Sequence, residues 1–175
     1  MQSVNSHIQE VLASLERDQQ ALITCLSGLK SNQDGQIKLS EGKSDEALSH
    51  LLEARKSFQK VSAARYILAI TNADIAAAHA NLEDFVQAAT FAREAISVVL
   101  GSDIFAETEA NAQMTLANAL ASTGSHNEAN KHYDRAREIY QRLPNGSRYL
   151  LALEHNRAFF RCMNSPTTKP WWKFW

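Results

Sequence analysis

The 175-residue sequence predicts an all-α fold: a right-handed α-solenoid of about three antiparallel helix hairpins, flanked by an N-terminal helix and a C-terminal capping helix. Three observations predict it. Strong helix formers (alanine, leucine, glutamate, glutamine, lysine) fill long stretches between only six glycines and three prolines. No segment alternates polar and apolar residues with the period of two that a half-buried strand requires. A turn-and-alanine pattern recurs at a fixed interval, as it does in chains built from stacked copies of one supersecondary unit.

Residues 1–27 form an amphipathic helix from about Val4 onward, whose apolar stripe runs through Ile8, Val11, Leu12, Leu15, Leu22 and Leu26 and on to Leu29. Ile8, Leu15, Leu22 and Leu29 recur every seven residues, as in a coiled-coil seam, with Asp18 and Gln19 interrupting it. Such a stripe more often packs on the first hairpin as a cap; self-association into a homo-oligomer is the alternative.

Residues 28–163 carry the repeats. Breaks fall at Gly42, near Leu82 to Asp84, at Gly101-Ser102-Asp103, at Gly124-Ser125 and at Pro144-Asn145-Gly146, each followed by residues able to cap a helix, which gives about seven helices. Gly42-Lys43-Ser44-Asp45-Glu46-Ala47-Leu48 aligns without gaps on Glu83-Asp84-Phe85-Val86-Gln87-Ala88-Ala89 and on Gly124-Ser125-His126-Asn127-Glu128-Ala129-Asn130. Ala47, Ala88 and Ala129 lie 41 residues apart, as do Ala54, Ala95 and Ala136, and then Phe58, Val99 and Tyr140. The preceding helices keep the interval, with Gly28, Ala69 and Ala110 in one register and Gly35, Ala76, Ala117 and Ala158 seven residues later. Positions seven apart share a helix face, so small residues there let two backbones approach while facing large residues fill the grooves. Ala158 assigns a last helix, about Ser147 to Met163, as the cap that continues the stack. Alanine-rich helices also make plain bundles, but three helices agreeing in register favour the array.

Turn glycine, early small residue and terminal large residue together resemble the tetratricopeptide repeat. The match is best over Leu116-Ala117-Asn118-Ala119-Leu120-Ala121-Ser122-Thr123-Gly124, Glu128-Ala129 and Tyr133-Asp134-Arg135-Ala136. The resemblance covers roughly Ser27 to Met163. The interval exceeds the ~34 residues usual for that family, its tryptophan and proline positions are unfilled, and the longer hairpin looks more like the kinesin-light-chain type. In the family, the first helices of successive hairpins line a concave groove for an extended peptide or partner helix. The resemblance places that groove at Asn32, Gln33 and Gln36, at Ala73, Asp74 and Ala77, at Asn111, Met114, Thr115 and Asn118, and at His155, Asn156 and Phe159. Amides dominate, and each offers a donor and an acceptor to a peptide backbone, with Met114 and Phe159 left for apolar side chains. The plainer reading is a row of solvated polar positions. Family members that clamp a C-terminal carboxylate use lysine and arginine at these places; none stands here, so no such clamp is expected.

The 18 basic and 19 acidic residues nearly cancel, which gives no field to draw in nucleic acid. No phosphate loop, His-Glu-x-x-His, paired cysteines or Gly-x-Ser-x-Gly occurs, so neither an enzyme nor a cofactor nor a metal site is expected. His126 and His132, six apart, fall on different helix faces and read as solvated; Cys25 and Cys162 read as small core residues. Asn145-Gly146-Ser147 fits a glycosylation acceptor but reads better as a turn. Neither a secretory signal at Met1 to Glu10 nor about 18 consecutive apolar residues is found, so a cytoplasmic protein, peripheral to a membrane at most, is expected.

Residues 164–175 stand apart. The polar spacer Asn164 to Pro170 leads into Trp171-Trp172-Lys173-Phe174-Trp175, which holds every tryptophan of the chain. Such residues anchor protein interfaces, in cis or in trans, or sit at a membrane interface; disorder is the remaining reading. Together these features predict an adaptor or assembly factor that grips a client polypeptide in its groove and uses the aromatic tail as a second docking element. A dedicated chaperone for a secreted or membrane-associated client and a self-assembling structural subunit are the alternatives.

Overall fold

The computed structural model describes the backbone of residues 2–163 and the side chains of residues 16–161. It is all-helical, and among the described residues there is no strand. Seven α-helices follow one another: α1 Gln2–Ser40, α2 Ser44–Phe58, α3 Arg65–Asn81, α4 Phe85–Val99, α5 Ala106–Ser122, α6 His126–Tyr140 and α7 Ser147–Met163. Consecutive helices pack on one another, α3 also packs on α5, and α7 lies against both α6 and α5. None of these helices is long and apolar enough to cross a membrane. α1 runs unbroken through residue 28, where the sequence pattern places a boundary.

The helix ends explain the short turns. The Lys43, Asp84 and Ser125 N–H groups donate back five residues, to the Lys38, His79 and Leu120 carbonyls, at 2.9, 2.9 and 2.8 Å. This closure needs a left-handed residue just after the helix. Gly42 and Gly124 supply it at φ +76° and +85°, and Glu83 adopts it at +61° without being glycine. A sixth break, between Phe58 and Arg65, has neither glycine nor proline to announce it. Val61 is extended there and a 3₁₀ turn, Ser62–Ala64, follows. Phe58 and Ala64 are buried together, with Val61, Ile67 and Leu68 packed on them, so tertiary packing ends the helix without a breaker.

Alanines form much of the core. Ala47, Ala54, Ala69, Ala76, Ala88, Ala95, Ala110, Ala117 and Ala136 are inaccessible, and Ala129 nearly so. Ala158 departs from that pattern and is exposed. No described helix follows α7 to cover that face. Between α1 and α2 even alanine is too large: a Cβ added to Gly35 would lie 2.6 Å from Leu51 Cγ, and one added to Gly28 would lie 2.8 Å from Phe58 Cε1. Leu51 is fully buried and cannot swing away. Overpacking of this kind costs about 1–3 kcal/mol, against the ~1 kcal/mol that glycine-to-alanine gains in helix propensity. Gly35→Ala is therefore expected to lower stability, by up to about 2 kcal/mol, read as a lower urea midpoint.

Candidate partner-binding groove

α1, α3 and α5 each bring side chains to one cleft of about 560 Å³. Gln36 comes from α1, Ala73, Asp74 and Ala77 from α3, and Asn111, Met114 and Thr115 from α5. All seven are among the positions assigned to a groove from the sequence. The Gln36 Nε2 group donates to Asp74 Oδ2 at 2.8 Å. Desolvation raises the Asp74 carboxyl above its ordinary range, with the Gln36 hydrogen bond pulling the other way. The cleft therefore holds a carboxylate that accepts from Gln36 and whose charged form is disfavoured by desolvation.

The asparagines serve the core as well. Tyr140 donates its hydroxyl to Asn111 Oδ1 at 2.7 Å, and Tyr133 donates to Asn118 Oδ1 at 2.6 Å. Both rings are buried, which pushes both phenols above their usual range. Asn111 thus bonds α6 through its carbonyl and also lines the cleft. Asn32 is spent similarly: it is buried and accepts from Thr71 Oγ1 at 2.8 Å.

The remaining assigned positions lie elsewhere. Gln33 is exposed on α1, and Asn118 does not line the cleft. His155, Asn156 and Phe159 sit on α7, where Phe159 packs edge-to-face on Phe160 with centroids 5.3 Å apart. The tail residues Trp171, Trp172, Lys173, Phe174 and Trp175, and the side chains of Ile8, Val11, Leu12 and Leu15, lie outside the described residues. Farther along that stripe, Leu22, Leu26 and Leu29 are 59%, 56% and 41% exposed, so this part does not pack on the first hairpin. The small-residue face of α1, through Gly28 and Gly35, is the one that meets α2.

The sequence pattern missed the apolar lip. Ile70, Ile104 and Phe105 line the same cleft. Ile104 is 87% exposed, and Phe105 stacks on Tyr66 with centroids 4.9 Å apart. Two large apolar residues directly after Gly101-Ser102-Asp103 were the available signal, obscured because that stretch reads as a turn. His132 bonds Gln113 at 2.6 Å. Among the described residues no three His, Cys, Asp or Glu side chains gather to hold a metal. No protein-family model matches the chain, and no curated protein matches it significantly.

Removing Asn111 would strand a buried tyrosine hydroxyl, a loss of about 1–3 kcal/mol. Asn111→Ala is expected to destabilise by that amount in urea unfolding, and Tyr140→Phe in the same chain is expected to recover part of it, a coupling of about 0.5–3 kcal/mol in the double-mutant cycle.

Proposed function

We propose that the chain is a protein-interaction module, a tetratricopeptide-like right-handed solenoid that seats a segment of a client polypeptide in the cleft between α1, α3 and α5. The observation that carries this reading is that α1, α3 and α5 all send side chains into one cleft, where Gln36 and Ala77, Ala73 and Met114, and Asp74 and Thr115 are pairs 41 residues apart. The element bounds support the repeat itself. α2, α4 and α6 each have 15 residues and begin at 44, 85 and 126, while α3, α5 and α7 each have 17 and begin at 65, 106 and 147. An extended peptide suits the chemistry: its backbone N–H would satisfy Asp74, its carbonyl the Asn111 amide, and its apolar side chains Met114, Ile70 and Ile104. On this reading the protein is a cytoplasmic adaptor or assembly factor and turns over no substrate. A self-assembling structural subunit is the second reading, favoured by the exposed Leu22, Leu26 and Leu29.

Selection of a random peptide library on the full chain tests the proposal. Peptides so obtained are expected to bind Ile104→Glu at least about tenfold more weakly, about 1.4 kcal/mol, with unchanged helicity because Ile104 is exposed. Equal affinity would sink it. The acid adds a signature. Burial raises the Asp74 pKa in the free protein, whereas a donated N–H would lower it, so binding releases a proton. Affinity should therefore rise with pH through the raised Asp74 pKa, and Asp74→Asn should flatten that dependence in anisotropy titrations.

A further inference from the structure

A second cavity, of about 210 Å³, lies between the C-terminal ends of α5 and α7 and the N-terminal half of α6. Its wall is apolar: Ala121, Ala129, Tyr133 and Phe160. Tyr133 is buried and held by its hydroxyl bond to Asn118. Two cations, Arg157 and Arg161, together with His126 and Asn130, complete it. Arg157 is itself buried, its Nε donating to Asn130 Oδ1 at 3.1 Å and its Nη1 to Asp134 Oδ1 at 2.6 Å. The guanidinium plane is thus fixed before anything occupies the cavity.

Those features specify an occupant. A dry cavity of about 150 Å³ accepts a benzene ring, so the larger space here accepts an indole. A fixed arginine beside an aromatic wall favours a flat, electron-rich ring through cation–π contact. The chain carries such rings a few residues on. α7 runs to Met163 and Arg161 lines the cavity, so only seven residues, or eight Cα-to-Cα steps, separate the helix end from Trp171. They span at most about 26–29 Å when extended, about the length of α7 itself at 1.5 Å per residue. Pro166 and Pro170 lack the N–H that would carry the helix onward. A short tether also holds its rings at about millimolar effective concentration, ahead of a free partner.

We infer that residues 164–175 dock in cis, seating an indole of Trp171-Trp172-Lys173-Phe174-Trp175 in the cavity between α5, α6 and α7. The tail then covers one end of the helical array, and its docking does not depend on what the cleft between α1, α3 and α5 binds.

All three tryptophans of the chain lie in this segment, so tryptophan fluorescence of the full-length protein reports on the tail alone. The emission of the whole chain, excited where tyrosine is silent, is expected to be blue-shifted relative to a peptide of residues 164–175, with several-fold weaker acrylamide quenching. Both properties should persist on dilution. Phe160→Ala and the exposed-site variant Arg161→Ala are expected to move emission and quenching toward the peptide values, while Leu151→Ser, exposed elsewhere on α7, leaves them unchanged. Far-UV helicity checks that each variant is folded, and Arg161→Ala removes no buried contact. Peptide-like emission in the wild type overturns the assignment. So does a blue shift that is lost on dilution, which would put the tail in a second copy, or one that appears only with lipid vesicles, which would put it in a membrane.

Discussion

Close approach of paired helix backbones is the constraint on which the other features rest. Between α1 and α2 it demands glycine, and between α3 and α4 and between α5 and α6 it is met by buried alanines. An alanine hides little apolar area, so at about 25 cal/mol per Å² each one contributes little to stability. A few large side chains must therefore fill the remaining space, and Tyr133, Tyr140, Phe58 and Leu51 are the largest of those fully buried. Two of them are tyrosines, whose hydroxyls enter a region where an unbonded polar group costs about 1–3 kcal/mol.

That requirement shapes the cleft. Asn111 and Asn118 accept from the tyrosines because something on α5 has to take their hydroxyl hydrogen bonds, and Asn111 also lines the cleft. Asp74, on the same cleft, accepts from the neutral donor Gln36, and partial burial raises its carboxyl pKa. The cleft is therefore a by-product of helix packing in which polar side chains lie beside an apolar lip, which on the proposed reading suits a peptide backbone with alternating side chains. Core and candidate site share residues, and so a substitution such as Asn111→Ala cannot separate binding from stability, whereas Ile104 can.

Much of the helical layout was legible because glycine, proline and capping residues act locally. The break after Phe58 was not, since it depends on Phe58 and Ala64 being buried together by helices distant in sequence. Seven cleft residues could be picked out because positions 41 apart occupy equivalent faces. That Asn32 and Asn118 also serve the core was not legible, because a helical register gives direction without depth: it cannot tell a side chain that bonds a buried hydroxyl from one that meets solvent. Ile104 and Phe105 were overlooked because their stretch reads as a turn, although the turn's place beside α3 makes them a lip. The Leu22, Leu26 and Leu29 stripe showed its periodicity plainly, yet periodicity alone does not say which of two faces of α1 meets α2.

Site-specific photo-crosslinking most directly tests whether the cleft between α1, α3 and α5 holds a polypeptide. A photoreactive residue would replace Ala77, which lines the cleft, or exposed Lys131 on α6, in the full chain inside its native cell. The account predicts a discrete protein adduct from position 77, mapping to one short segment of the captured chain, and none from position 131. No adduct at 77, or the same adducts from both positions, would contradict it.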